Sequence, residues 1–173
     1  VIPANINGVA VETISADIFG SKPYSPSLKG AVISEGIKYI GSGAFSGACN
    51  LTRVSLPKSL RNIGASAFAE TNIAGEIIIP ENVTKIGANA FVSCSKISAV
   101  TILNPNAKIG DFAFRGIMRG ATIRGYEGST AQQYCKENRS AGLKFESLGT
   151  VDAEKDTHTR VRAVGYVEEG IHA

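Results

Sequence analysis

A motif that returns every 23 residues governs what this chain can fold into. It is clearest over residues 51–74, LTRVSLPKSLRNIGASAFAETNIA. Its landmark is Ile-Gly followed, after two residues, by Ala-Phe. Ile40-Gly41 leads to Ala44-Phe45, Ile63-Gly64 to Ala67-Phe68, Ile86-Gly87 to Ala90-Phe91, and Ile109-Gly110 to Ala113-Phe114. A degenerate copy stands upstream, where Ile14 is followed by Ser15 in place of the glycine and then by Ile18-Phe19. Phe19 and Phe45 are 26 residues apart, so the spacing predicts three extra residues in the Lys22-Pro23-Tyr24-Ser25-Pro26 loop. A fixed period in the twenties marks a solenoid, whose units cannot bury their apolar faces alone and stack on one another to do so.

Each repeat divides into three parts. The first is a short strand, in which Val54 and Leu56 share one face while Arg53 and Ser55 point to the other. The equivalent inward pairs are Ala31 and Ile33, Ile77 and Ile79, Val100 and Ile102, weakening to Ile123 and Gly125. Pro57 and Pro80 follow, where a residue without an N–H donor belongs because the ladder stops there. The second part, Leu60-x-x-Ile63-Gly64, is another short extended stretch, and its glycine is read as a sharp bend. The third is Ala-Phe and a small or polar turn, helical or irregular, with the phenylalanines stacked as a spine. The second glycine of Gly41-Ser42-Gly43 reads as incidental, since the other copies lack it and no lysine follows as in a phosphate loop.

The run Leu51-x-x-Val54-x-Leu56-x-x-x-Leu60 is similar to the leucine-rich repeat signature, without its asparagine. Together with the Pro, Ile-Gly and Ala-Phe positions it resembles the BspA-like leucine-rich repeats of bacterial and some protist surface proteins. The resemblance covers residues 14–125, and Gly125-Tyr126-Glu127-Gly128-Ser129-Thr130-Ala131 through Phe145 looks like that family's terminal cap. It implies an α/β repeat solenoid, a curved leucine-rich-repeat stack of about five 23-residue repeats. Residues 1–13 are then a lead-in or cap segment, 14–125 the repeats, 126–149 the C-terminal cap, and 150–173 a linker or the start of an accessory module. In the cap, Ser129 or Thr130 can N-cap a helix over 131–138 that buries Ala131, Tyr134 and Cys135. Leu143, Phe145 and Leu148 then give a closing strand.

Composition narrows the function classes. Apolar residues form 43% of the 173, ample for a core, yet no apolar run reaches the ~18 residues of a membrane helix. The formal charge of +3 is too small to argue for nucleic acid. Residues 150–173 depart from the rest in being acidic and in holding both histidines, His158 and His172. The chain starts at Val1 and reads as processed or trimmed. Cys49 and Cys94 lie two repeats apart, so their Cα atoms should be about 10 Å apart, too far for a disulfide. With Cys135 they read as small buried hydrophobes. No Cys-x-x-Cys is present, so no metal site is expected. A Ser-His-Asp or Cys-His arrangement needs a histidine on a rigid scaffold, and the repeats contain none. Glu76, Glu81 and Asp111 are scattered and suggest no glycosidase pair. No cofactor is expected. With no Trp, the candidate exposed aromatics are Tyr24, Tyr39 and Tyr126, weak support for carbohydrate. Three Asn-x-Ser/Thr triplets begin at Asn50, Asn82 and Asn138 and matter only in a chain secreted through an endoplasmic reticulum.

The outward strand positions are free of the core, and in leucine-rich repeats they line the concave sheet. One column is Gly30, Arg53, Glu76, Ala99, Thr122; the next is Val32, Ser55, Ile78, Thr101, Arg124; a third, at the strand exit, is Ser34, Pro57, Pro80, Leu103, Tyr126. Apolar Val32, Ile78, Leu103 and Tyr126 on this face mark a partner site or scattered exposed apolars. The residues read as partner-binding are Val32, Arg53, Ser55, Glu76, Ile78, Thr101, Leu103, Arg124 and Tyr126. A second outward row, Lys38, Tyr39, Arg61, Lys85 and Lys108, is a basic stripe for an acidic surface or polysaccharide, or a solvated face. The resemblance implies a non-catalytic extracellular or cell-surface protein that adheres to a host or extracellular-matrix protein. The other readings are an architectural spacer or self-association module, or a piece of a larger surface enzyme.

Overall fold

The computed structural model describes residues 1–19 and 28–151; the loop at 22–26 and the tail with both histidines lie outside them. In chain order the strands are β1 (Asn5–Ile6), β2 (Val9–Ala10), β3 (Thr13–Ile14), β4 (Gly30–Val32), β5 (Tyr39–Ile40), β6 (Arg53–Ser55), β7 (Asn62–Ile63), β8 (Gly75–Ile79), β9 (Lys85–Ile86), β10 (Ile97–Ile102), β11 (Lys108–Ile109), β12 (Thr122–Gly125) and β13 (Lys144–Ser147). One helix, α1 (Thr130–Glu137), and a 3-10 turn, Arg139–Ala141, precede β13.

The chain coils so that each repeat adds one rung to three parallel ladders. On the first face β4 pairs with β6, and β8, β10, β12 and β13 form a four-stranded sheet. On the second, β3, β5, β7, β9 and β11 form a five-stranded parallel sheet. Its register runs Ile14, Ile40, Ile63, Ile86, Ile109. The third face is built from irregular turns, yet it too is laddered. The Phe45 amide donates to the Ala67 carbonyl at 2.7 Å, Phe68 to Ala90 at 2.8 Å and Phe91 to Ala113 at 2.8 Å. Among the described residues the first face has six strands, the closing strand β13 joining it with Phe145 beside Ile123, and at the other end Ile2 bridges in parallel to Ile33.

The inward residues make one continuous core. Ile37, Leu60 and Val83, together with Phe45, Phe68, Phe91 and Phe114, are fully buried. The phenylalanine spine is complete from Phe19 to Phe114, with ring centroids 5.0, 5.0, 5.2 and 5.5 Å apart and planes within 14° of parallel. Aromatic contacts of this kind add roughly 0.5–1.5 kcal/mol each beyond area burial.

The glycine after each second-face isoleucine is explained by proximity rather than by a bend. A Cβ on Gly64 would lie 2.5 Å from the Ser42 nitrogen, and one on Gly87 would lie 2.4 Å from the Ala65 nitrogen. Ser15 holds the same position on the first described rung of this face, and no described rung lies beneath it, so a side chain is tolerated there. Gly43 is likewise not incidental. Its φ is +63°, and the equivalent Asp17, Ser66, Asn89 and Phe112 also have φ between 53° and 57°. That position is left-handed in every turn, and Gly, Asp and Asn reach this region at least cost.

The ends are closed differently. At the N-terminus Asn7 and Gly8, both at positive φ, turn the antiparallel β1–β2 hairpin. At the C-terminus Ser129 caps α1 by accepting from the Gln132 amide, and α1 buries Ala131, Tyr134 and Cys135. Tyr134 ends the spine edge-on, 5.6 Å from Phe114 at 89°. Its hydroxyl accepts from the Phe114 amide at 3.1 Å, taking the place of the carbonyl that a further repeat would supply. The three cysteines are free, and Cys94 and Cys135 are buried, but Cys49 is exposed on a turn and is not a core residue. Burial pushes the Cys135 thiol up to about 11.

Two variants check these packing arguments. Gly87→Ala is expected to destabilise by about 1–3 kcal/mol in urea unfolding, and Ser15→Ala by less than about 0.5 kcal/mol; equal losses would sink the close-approach account. Tyr134→Phe keeps the ring but strands the buried Phe114 amide, so a loss of about 1–3 kcal/mol is expected. Wild-type stability in that variant would show that the hydroxyl is not needed.

Candidate functional site

The first-face ladder places the outward residues in register. Val32 stands beside Ser55, and Ile78, Thr101, Arg124 and Glu146 follow one another rung by rung. In the neighbouring column Gly30 stands beside Arg53, and Glu76, Ala99, Thr122 and Lys144 are likewise adjacent. Each column is interrupted between β6 and β8. The interruption coincides with a slip in the repeat: the buried anchor, Leu51 in one copy and Ile97 in another, stands one residue early at Ile73. Ala74 is exposed, and Gly75 at φ +79°, the first residue of β8, restores the phase. Val32, Arg53 and Ser55 therefore belong to one short ladder, and Glu76, Ile78, Thr101 and Arg124 to another.

On the second ladder Ile78, on the edge strand β8, is 54% exposed. Around it the polar residues are tied together. Glu76 Oε1 accepts from Thr101 Oγ1 at 2.5 Å and from Arg124 Nη1 at 2.9 Å. Arg124 Nε donates to Glu146 Oε2 at 2.8 Å. The Thr101 hydroxyl, and after it the Arg124 guanidinium, hold the Glu76 carboxyl below the usual carboxylate range. Thr101 is buried beneath this network rather than presented on the surface.

The third column does not face outward. Tyr126 is only 4% exposed, which removes it from any partner surface, and Pro57 and Pro80 are buried as well. Leu103 is half-buried. The reason is that the strands end here and the chain turns toward the second face. At Tyr126 the cap helix closes over the turn: a Cβ on the preceding Gly125 would lie 2.7 Å from that of Ala131. Burial raises the Tyr126 phenol above its ordinary value. Val32 is exposed as expected.

The basic row on the second face is two columns. Tyr39, Asn62, Lys85 and Lys108 are paired rung to rung. Lys38 and Arg61 occupy the column beside them, where the Arg61 amide donates to the Lys38 carbonyl at 2.8 Å. Lys38 pairs with Glu12 at 2.5 Å, so its charge is neutralised at the N-terminal end. Among the described residues no group of three His, Cys, Asp or Glu is placed to hold a metal ion. Nor is any described helix long and apolar enough to cross a membrane.

The sequence profile of the BspA type leucine rich repeat region matches residues 12–135 in six copies. The chain belongs to the BspA-type leucine-rich-repeat family. Solved structures of the same architecture include a leucine-rich repeat protein from Bacteroides ovatus, 24% identical with a TM-score of 0.56, covering 65% of this chain and 28% of that one. The leucine-rich repeat protein of T. pallidum is 29% identical with a TM-score of 0.62, over 71% of this chain and 56% of its own. The pneumococcal vaccine antigen PcpA is 20% identical with a TM-score of 0.53, over 79% and 41%. This BspA-type chain thus spans from about a quarter to just over half of the length of these proteins. Among curated proteins no significant relative is found.

Sequence reasoning missed Glu146 and Lys144, which extend the outward columns onto the cap. The cap strand follows the last repeat at a spacing of 22 rather than 23, with Ile123 beside Phe145 and Arg124 beside Glu146. Setting Phe145 as the equivalent of Ile123 would have revealed both. Glu76 has a lowered folded carboxyl, so the stability it contributes is present above its unfolded value and is lost as pH falls through the folded one. Glu76→Gln is accordingly expected to narrow the stability difference between pH 7 and pH 3 in urea titrations. A difference identical to that of the wild type would show that the Glu76–Thr101–Arg124 contacts do not bias the carboxylate.

Proposed function

We propose that this BspA-type chain is a non-catalytic binding module of a cell-surface or secreted bacterial protein, which adheres to a host or extracellular-matrix protein through its first face. The observation that carries the reading is Ile78. It is a half-exposed aliphatic side chain on the edge strand β8, beside polar and charged neighbours already locked into a network. Protein interfaces concentrate their affinity in such an anchor, surrounded by groups that exclude water and lose little freedom on binding. Stacked repeats supply the extended, stiff platform that suits a large partner. Val32 and Arg53, on the shorter ladder, widen the surface.

Surface plasmon resonance of the chain over immobilised fibronectin and fibrinogen tests this. Saturable binding is expected, weakened at least about tenfold by Ile78→Asp and to a smaller degree by Arg124→Ala. Binding that survives Ile78→Asp unchanged would move the site off this face, with Arg61, Lys85 and Lys108 next to be replaced. No binding at micromolar concentration, together with concentration-dependent oligomers in sedimentation, would replace adhesion by the architectural, self-associating reading.

A further inference from the structure

The last Ala-Phe turn departs from the others in a way the fold does not require. The left-handed position that holds Asp17, Gly43, Ser66 and Asn89 in earlier turns holds Phe112 here, at φ +57°. A bulky side chain is uncommon in that region and strains the backbone. The ring gains little burial in return, being 51% exposed. The other turns close with small or polar residues, so an aromatic group is not a demand of the ladder. Arg115, three residues on, lays its guanidinium over the ring at 5.3 Å from the centroid.

These two side chains form one wall of a cleft of about 560 Å³ between the last turn and the cap. Ile117 and Leu143, buried and half-buried, give it an aliphatic base, and Arg119 lies on its rim. Neither Arg115 nor Arg119 forms an ion pair with a carboxylate among the described residues, whereas Lys38 and Arg124 do. Nearby Glu137 accepts from Gln133 instead. The Asn138 side-chain amide, also on the lining, already donates to the Tyr134 carbonyl. The cleft therefore offers an apolar base and two guanidiniums without an ion-pair partner among the described residues, with few free groups to satisfy the hydroxyls of a sugar. Its size is that of a typical ligand pocket, and an unpaired guanidinium suits a carboxylate through two parallel hydrogen bonds.

We propose that the cleft formed by Phe112, Arg115, Ile117, Arg119 and Leu143 is a second recognition site, for an extended peptide segment that places an aliphatic or aromatic side chain beside an Asp or Glu. The apolar side chain enters between Phe112 and Leu143, and the carboxylate meets Arg115 and Arg119. This site lies at the cap and is independent of the first-face reading.

The test is selection of a displayed random dodecapeptide library on the whole chain, with counter-selection on the double variant Arg115→Glu, Arg119→Glu. The enriched peptides are expected to pair Leu, Ile, Val or Phe with Asp or Glu within two residues. A synthetic consensus peptide, followed by fluorescence anisotropy, is expected to lose at least about tenfold in affinity to the double variant. Phe112→Asn, which copies Asn89, should weaken binding several-fold while keeping or raising the melting temperature. Ile78→Asp should leave binding unchanged, and chemical shifts on titration should move at Gly116 and Leu143. Failure to enrich peptides over the double variant would overturn the proposal, as would enriched peptides without acidic residues or binding abolished by Ile78→Asp. So would preferential, Arg115-dependent binding of a hyaluronan hexasaccharide, which would make the site one for acidic sugars.

Discussion

Successive rungs of this coil stand one hydrogen-bonded strand spacing apart, about 4.8 Å, and that distance dictates the rest. It is close to the distance at which two aromatic rings stack, so one phenylalanine per repeat becomes a continuous column at 5.0–5.5 Å. It is too short for a Cβ pointing along the coil axis, which is why glycine recurs beside the second-face isoleucine. It also brings side chains to the backbone of the adjacent rung. Thr52 donates to the Lys29 carbonyl, Asn72 to Cys49 and Thr84 to Arg61, each across 23 residues. The Glu35 carboxylate accepts from the Lys58 and Ser59 amides, and these two bonds hold it below the usual carboxylate range.

A stack bound this way has trouble only at its ends, where a rung lacks a neighbour. The two ends solve different halves of the problem. The first described rung of the second face no longer needs its glycine, and Ser15 takes the position. The last rung has a backbone donor and a ring face with nothing beyond them. Tyr134 answers both, its ring edge meeting Phe114 and its hydroxyl accepting the Phe114 amide. Having both functions in one side chain ties the orientation of α1 to the spine. The cap strand then adds a rung of its own on the first face.

Much of this was legible in the sequence because a repeat prints its core many times. Ile40, Ile63 and Ile86 can be aligned by eye, and the Phe spine follows from the period alone. What escaped was whatever depends on the third dimension at a single rung. Tyr126 stands in an outward column on paper, but the strand has ended and the cap helix covers it. The slip of the buried anchor to Ile73 keeps the period intact and coincides with the break in the first-face ladder, and Gly75 at positive φ marks it. The left-handed turn position was visible in Asp17, Gly43 and Asn89, residues that suit it; Ser66 and Phe112 in the same column hid the rule.

That last misfit separates the two kinds of information in the chain. Where a position serves the ladder, the copies agree or vary among residues with the same backbone tolerance. Where a copy breaks the rule without gaining burial, the ladder gives no reason for it. Phe112 is of this sort; Ile78 stands in an outward column with no such rule but shares two features with it: each leaves about half its surface in water, and each has charged side chains beside it. The neighbours of Ile78 are paired with one another, which makes a stiff frame beside an apolar side chain. Arg115 and Arg119, beside Phe112, are matched by no described carboxylate, which leaves a charge for a partner to complete. A regular scaffold thus makes such side chains conspicuous, and here they fall on two surfaces of different chemistry, one on the sheet and one at the cap.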